Sequence, residues 1–292
     1  MPRKVISLLP GATEMVAAIG GLELLAAVSH ECDWPPEVAR LPRVTVTPID
    51  PTLSSGAIDR AVRDAAAAGK AVIGIAADLL VSLRPDLIIT QQLCDVCAVA
   101  DGEAMRLAQV IAPPPEVLVL SGTTLDGVWD DIRAVGRAIG HEAEAERVAR
   151  ELARAVRELA AEALEPRPRV VVTEWIDPVF LAGHWVPEMV AAAGGLDVGA
   201  RPGDHSAVRT WDEVIALDPD LVVIALCGFD ESRARRELAE LPDRRAKKWL
   251  GTRRVLVIDG NAYTSRPGPR LVEGIAQIAK AIRALAPRFR SG

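Results

Sequence analysis

The sequence of 292 residues has no long hydrophobic run, although half of its residues are hydrophobic. A membrane-spanning helix needs about 20 consecutive apolar residues, so no membrane insertion is expected. The first apolar run, residues 5–9, is too short for the core of a signal peptide, and Pro10 and Gly11 follow it instead of a cleavage site. These features predict a cytoplasmic protein.

The sequence also lacks an excess of positive charge. It has 34 Lys and Arg against 40 Asp and Glu, a formal net charge of -6. This excludes the basic stripe with which proteins neutralise nucleic-acid phosphates, so we expect no nucleic-acid partner. No nucleophile with an adjacent base, no glycine-rich phosphate loop and no His-Glu-x-x-His pattern occurs. The sequence thus assigns no catalytic residue, and it favours a binding protein over an enzyme without deciding between them.

Cysteine and aromatic residues are scarce. Four cysteines in a chain of this length, in a reducing compartment, do not make a disulfide framework. They are read as core thiols, metal ligands or reactive groups. The aromatic residues are six Trp, three Phe and one Tyr, and a flat indole ring can cover an extended apolar ligand. The loop Trp residues therefore enter the candidate site below.

Short apolar runs alternate with helical patterns in both halves of the chain. Strands are predicted at residues 5–9, 24–28, 87–90, 117–120, 169–173, 221–226 and 255–258. This alternation is typical of a parallel sheet covered by helices. The turns Pro85-Asp86 and Pro219-Asp220 each lead a helix into a strand, so the two halves are predicted to repeat one plan.

One long helix is predicted between the halves, from residue 142 to residue 164. Its apolar stripe has a spacing of three or four residues and consists of Val148, Leu152, Val156, Leu159 and Ala163. At 1.5 Å per residue this helix would be roughly 35 Å long, enough to cross two lobes. We predict an N-terminal α/β lobe (1–140), a linking helix (141–166) and a C-terminal α/β lobe (167–292). A surface helix of one large domain is the alternative.

Several segments resemble class III substrate-binding proteins, which serve ABC importers of cobalamin, haem and iron-siderophores. They are the pattern Ser-Leu-x-Pro-x-x-Thr-Glu at 7–14, the approach to a strand at 84–88, and the linking helix. Four further segments resemble, more closely, a cytosolic branch identified as cobalamin-binding; they are residues 29–35, 92–98, 227–230 and 259–270.

The resemblance implies an α/β fold of two Rossmann-like lobes joined by one long α-helix, with a ligand cleft between the lobes. It also implies a cobalamin-like, tetrapyrrole or metal-chelate ligand. Because exported members carry a signal peptide and none is recognised here, docking to an importer is doubted.

Ligands of open α/β sheets bind at the carboxyl ends of the strands, so the loops after the predicted strands form the candidate site. The candidate ligand-binding residues are His30, Glu31, Trp34, Gln92, Glu174, Trp175, Trp185, Phe229, Asn261, Tyr263, Ser265 and Arg266. Arg266 stands just before the last helix, where it could receive a carboxylate or phosphate; a salt bridge that fixes the loop is the alternative. For the three Trp residues the alternative is packing in the core.

All four cysteines fall in these same loops. Cys94 and Cys97 have the spacing that offers two thiolates to zinc or an iron-sulfur cluster, and Cys32 and Cys227 could complete the site. Buried free thiols or a redox pair are the alternative. The sequence therefore leaves a second function open, a metal- or iron-sulfur-dependent enzyme built on the same fold. The identity of the ligand and the oligomeric state are left open too.

Overall fold

The computed structural model of the protein describes residues 3–92, 101–160 and 165–285. Within these ranges helices and strands alternate as predicted, and each half of the chain forms its own main sheet. No helix in these ranges is both long enough and apolar enough to cross a membrane. The predicted α/β class is confirmed.

The first half of the chain contains strands and helices in regular alternation. They are β1 (Val5–Ser7), α1 (Pro10–Ala18), β2 (Leu25–Val28), β3 (Thr45–Val46), α2 (Ser55–Ala67), β4 (Gly74–Ile75), α3 (Ala77–Leu83), β5 (Leu87–Gln91), α4 (Asp101–Gln109), β6 (Glu116–Leu120) and α5 (Leu125–Ile139). Side chains cap two of the helices: Ser54 accepts from the backbone N–H of Ala57, and Thr124 from that of Gly127. Helix α5 ends just before Gly140, whose φ of 79° lies in the left-handed region that glycine adopts readily.

Four of these strands form a parallel sheet in the order β2, β1, β5, β6. Strand β1 is wholly buried and β5 nearly so, because helices cover both faces of a parallel sheet. Strands β3 and β4 form a separate antiparallel pair. The carboxyl ends of β2 and β5 lie at one edge of the sheet, and the predicted site loops begin there.

The second half starts with the linking helix and ends with a long helix. Its elements are α6 (Glu142–Ala160), β7 (Arg169–Ile176), β8 (Val179–Leu181), α7 (Val186–Ala192), β9 (Leu196–Asp197), β10 (Ala207–Arg209), α8 (Trp211–Ala216), β11 (Leu221–Ile224), α9 (Glu231–Glu240), α10 (Arg244–Leu250), β12 (Arg254–Val257), α11 (Gly260–Tyr263) and α12 (Leu271–Arg283).

The second sheet is mixed, so it does not fully repeat the first. Its order is β10, β8, β7, β11, β12, with the short strand β9 beside the start of β7. Strands β7, β11 and β12 are parallel, but β8 and β10 run antiparallel to their neighbours. Only Asp177 and Pro178 separate β7 from β8, and so short a connection permits only an antiparallel pair.

The two Pro-Asp turns are equivalent in the structure. The Asp86 carboxylate accepts a hydrogen bond from the backbone N–H of Lys4 at 2.7 Å, and the Asp220 carboxylate accepts one from Arg169 at the same distance. Each aspartate thus joins the start of its strand to the neighbouring parallel strand. The Pro-Asp turn that occurs in both halves of the sequence therefore has the same structural role in each half.

The linking helix α6 packs on both halves of the chain. Its buried residues Ala145, Val148 and Ala149 belong to a core cluster that continues from α1 and α5 into α7 and α12. Leu152, Val156 and Leu159 of the predicted stripe pack against the same cluster, whereas Ala163 lies outside the described residues. The linking helix and the two α/β lobes are confirmed, and the exact lobe boundaries stay a prediction.

Candidate ligand-binding site

The predicted site residues follow the carboxyl ends of strands in both lobes. His30, Glu31 and Trp34 follow β2, and Gln92 follows β5. In the second lobe, Cys227 and Phe229 follow β11, and the segment 261–266 follows β12. Glu174 and Trp175 differ from the prediction because they lie inside β7, which continues to Ile176.

The buried Arg266 side chain makes a group of polar contacts between the lobes. Its Nη1 donates to Glu14 Oε1 at 3.2 Å and also to Asp33 Oδ1, and its Nη2 donates to Asn261 Oδ1 at 2.8 Å. Asn261 Nδ2 donates in turn to Asp33 Oδ2 at 3.0 Å. Glu14 and Asp33 belong to the first lobe, and Asn261 and Arg266 to the second. We call these four residues the Arg266 cluster; it holds the lobes together.

The carboxylates of this cluster differ in their surroundings. Burial raises the pKa of Glu14, and the nearby Arg266 and Arg270 oppose this only in part. Burial acts on Asp33 as well, but the hydrogen bonds and charge of Arg266 outweigh it and lower the pKa of Asp33. Among the described residues, no hydrogen-bond partner reaches Oε2 of Glu14. The charged form of Glu14 therefore depends on Arg266.

Arg266 itself is occupied by protein groups. Besides the cluster, its Nη2 donates to the backbone oxygen of Glu31 at 3.1 Å, and only 6% of its surface is exposed. The prediction that it receives a ligand carboxylate or phosphate is not supported by this geometry. The alternative, a salt bridge that fixes the loop, agrees with it.

Aromatic rings from the two lobes lie on either side of Arg270. The Arg270 guanidinium carbon is 4.9 Å from the centre of the nearest Trp34 ring and 5.0 Å from that of Tyr263, and its Nη1 is 3.6 Å from Glu14 Oε1. Trp34 remains 46% exposed. A cavity of about 310 Å³ lies along Trp34, Arg270 and α1. About half of the Trp34 side chain is thus left open beside the lobe junction.

A second junction of the lobes is centred on Trp175. Its Nε1 donates to the backbone oxygen of Ser55 at 3.2 Å, and its ring centre lies 5.1 Å from that of Phe229. Arg233 stacks over Phe229 at 3.5 Å and donates to the backbone oxygen of Leu53 at 2.8 Å. We call this the Trp175 contact. A cavity of about 240 Å³ lies beside Ser55.

Trp185 does not face the cleft. It is buried in the core next to α7, and its Nε1 donates to the backbone oxygen of Thr264 at 2.8 Å. Its N–H thus has a partner inside the protein, which is what a buried indole requires. The core alternative applies to Trp185, and we remove it from the candidate site.

The remaining predicted residues lie around these junctions. His30 is partly buried, and its Nδ1 is 2.6 Å from Thr45 Oγ1 within the first lobe. Glu31 and Gln92 are exposed, whereas Glu174 and Ser265 are partly buried. These five stay predicted ligand contacts.

The cysteine prediction is not supported. Cys32 is buried with its Sγ 3.1 Å from Thr13 Oγ1, and burial raises the pKa of its thiol to about 11, although a metal needs the thiolate. Cys94 and Cys97 lie outside the described residues, and Cys227 is partly buried. Within the described ranges, no three His, Cys, Asp or Glu residues are grouped as a metal site.

We expect Cys32 to resist alkylation in the folded protein. At pH 8 a thiol of pKa about 11 is about 0.1% thiolate, and the sulfur is buried as well. Iodoacetamide at pH 8, followed by peptide mass mapping, should modify Cys227 first and Cys32 only after urea is added. Equal rates for both in the folded protein would show that Cys32 is an accessible thiol.

A family model described as periplasmic binding protein matches residues 5–243, which include the first sheet, the linking helix and strands β7 to β11. The chain belongs to this family. The resemblance of the sequence to substrate-binding proteins is therefore confirmed, and so is the fold of two lobes with a ligand cleft between them. Binding of a small-molecule ligand follows from the family.

Individual relatives span nearly the whole chain. The vitamin B12-binding protein of Pectobacterium carotovorum subsp. carotovorum (strain PC1) is 25% identical, over 98% of this chain and 91% of the relative. The apo structure of the periplasmic heme-binding protein RhuT from Roseiflexus sp. RS-1 has a TM-score of 0.71 at 21% identity, covering 98% of this chain and 100% of that one. The structure of the periplasmic vitamin B12 binding protein BtuF of Vibrio cholerae has a TM-score of 0.67 at 19% identity and covers 97% of each chain. The two structures show the fold.

The predicted cytoplasmic location is wrong. It rested on the short apolar run at residues 5–9, whereas the family to which the chain belongs is that of periplasmic binding proteins. Membership of a cytosolic branch is therefore not supported either. The reason for doubting docking to an importer is removed as well, and docking itself stays untested.

The sequence did not single out four residues of the junctions: Glu14, Asp33, Arg233 and Arg270. All but Arg233 stand in the segments that carried the resemblance. Glu14 is a charged residue among the buried positions of α1, and a buried carboxylate needs a partner. Arg270 follows Arg266 by four residues, just before α12. An arginine near the start of the last helix and a glutamate inside an apolar helix were the available signals.

Proposed function

We propose that the protein binds a cobalamin-like ligand, or another tetrapyrrole or metal chelate, between its two lobes. The observation that carries this proposal is the presence of aromatic side chains from both lobes at the carboxyl ends of the strands: Trp34 in the first lobe, and Trp175 and Tyr263 in the second. Large flat rings suit a flat apolar ligand. The vitamin B12-binding relative, aligned over 98% of this chain, supports the choice of cobalamin.

Ligand entry requires the lobes to separate. The cavities of about 310 and 240 Å³ beside the junctions are at or below the low end of the range of about 300–1,000 Å³ for small-molecule sites. A tetrapyrrole is large for either cavity. The Trp175 contact is held by hydrogen bonds from Trp175 and Arg233 to the backbone oxygens of Ser55 and Leu53, and the backbone N–H of Ser55 also donates to Glu237 Oε2 at 2.9 Å. None of these three bonds joins two charged groups, whereas Arg266 forms ion pairs with Glu14 and Asp33, so the Trp175 contact can open at lower cost than the Arg266 cluster.

Equilibrium dialysis tests this function directly. The full chain is dialysed against cyanocobalamin and, in a second series, against haemin under reducing, anaerobic conditions, and bound ligand is measured by its absorbance. We expect saturable uptake of cyanocobalamin that excess haemin reduces, with serum albumin at the same concentration as the control for unspecific haemin uptake. Saturable uptake of haemin alone would reassign the ligand within the tetrapyrroles, and uptake of neither compound would contradict a cobalamin-like or other tetrapyrrole ligand.

A further inference from the structure

Two histidines of the second lobe face each other on adjacent loops. His184 follows β8, and His205 precedes β10. The two strands are antiparallel neighbours with Leu181 opposite Ala207, so the loops leave the same end of this strand pair. His184 and His205 are therefore placed together by the sheet itself.

Backbone contacts fix the two loops against each other. The N–H of His184 donates to Asp204 O at 2.6 Å, and the N–H of Gly203 donates back to His184 O at 2.9 Å. The N–H of Gly183 donates to Ser206 Oγ at 3.1 Å. A Cβ at Gly183 would lie 2.3 Å from Asp204 O, so glycine is required for this approach. Such a scaffold holds side chains in a defined geometry before any ligand binds.

His184 has a backbone conformation that is uncommon for a residue with a side chain. Its φ is 53°, in the left-handed region. Strained backbone of this kind persists only where the surroundings impose it, and it is concentrated at binding and catalytic sites. The contacts with Asp204 and Gly203 impose it here.

The rings have the spacing of two imidazoles on one metal ion. Their centres are 5.3 Å apart, and their planes are at 89°. With a Zn–N distance of about 2.0–2.1 Å and tetrahedral angles, two ring centres on one zinc ion lie roughly 5 Å apart. The His184 Nε2 atom is buried, and no hydrogen-bond partner reaches it within the part of the chain that the structure describes. Imidazole nitrogens are common ligands of transition metals. A buried ring nitrogen that makes no hydrogen bond within the described residues, next to a second imidazole, therefore suits such an ion.

We propose that His184 and His205 together bind a divalent transition-metal ion such as Zn²⁺. Water or a donor from a bound molecule completes the coordination, since two protein ligands leave positions open. The site lies near a third junction of the lobes, where the backbone N–H of Leu125 donates to Glu188 Oε2 at 2.6 Å. It is independent of the four cysteines and of the proposed tetrapyrrole ligand.

Zinc titration tests the proposal. The full chain is titrated with Zn²⁺ by isothermal calorimetry. It has no affinity tag, and it carries Cys94→Ser and Cys97→Ser so that these two thiols cannot bind the ion. We expect saturable binding of a single ion per chain, weakened at least about tenfold by His184→Asn or His205→Asn, because each removes one of two protein ligands. Asn tolerates the left-handed backbone at 184, and His205 is exposed, so both variants should fold.

His141 provides the matched control. Its Nδ1 is 2.8 Å from Ile19 O at the turn before α6, and His141→Gln should leave the zinc affinity unchanged. Absence of saturable uptake by the parent chain would overturn the proposal. Unchanged affinity in both Asn variants would overturn it as well, because the ion would then be held elsewhere.

Discussion

Arg266→Met should lower the free energy of unfolding by about 3–5 kcal/mol, the usual cost of removing one partner from a buried ion pair. The substitution leaves Glu14, whose side chain is 2% exposed, without its partner at 3.2 Å. Arg270 stays 3.6 Å from the same oxygen but is already stacked between two rings. Urea unfolding followed by circular dichroism measures the change.

Two further variants test the cause. Glu14→Gln added to Arg266→Met should recover part of the loss, because it removes the buried charge that the first substitution leaves unpaired. Arg147→Ala breaks an exposed ion pair with Glu151 and should cost less than about 1 kcal/mol. If Arg266→Met costs no more than Arg147→Ala, the Arg266 cluster does not hold the lobes together.

Trp34→Ala should weaken cyanocobalamin binding by about 30-fold or more, which corresponds to the roughly 2 kcal/mol expected of a central aromatic contact. Trp34 is half exposed beside the cavity, so a ligand that covers the indole gains apolar contact that Ala cannot supply. Its exposure also implies a small effect on folding. Equilibrium dialysis gives the affinity, and urea unfolding checks the stability.

The control for Trp34 is Trp249 on α10. It packs near Arg253 just before β12, at the amino ends of the strands and so on the side opposite the candidate site. Trp249→Ala should leave the affinity unchanged, and Trp34→Phe should retain part of it by keeping a ring beside Arg270. An affinity of Trp34→Ala within twofold of the parent chain would remove Trp34 from the ligand surface.

The sequence predicted the elements whose pattern is local. The apolar runs at β1, β5, β7 and β11 and the stripe of α6 are long or regular enough to be recognised without tertiary context. Strands β8, β9 and β10 have two or three residues each, too few for a period to be visible. The antiparallel part of the second sheet was therefore missed.

The candidate site was predicted less completely because its contacts join distant residues. Arg266 and Glu14 are 252 positions apart, and nothing in either local pattern indicates the other. Trp185 was assigned to the cleft because it stands in a loop, but the Thr264 carbonyl supplies the partner that its indole needs in the core. The aromatic residues Trp34, Trp175 and Tyr263 were named because strand ends and residue type suffice to find them.

Hydrogen-deuterium exchange with and without saturating cyanocobalamin tests most directly whether the ligand binds between the lobes. We expect slower exchange at residues 29–34, 53–56, 174–177 and 260–266, which line the two junctions, and unchanged exchange at the β3 and β4 pair. Exchange that is unchanged at all four segments, or slower only elsewhere, would contradict binding at this site.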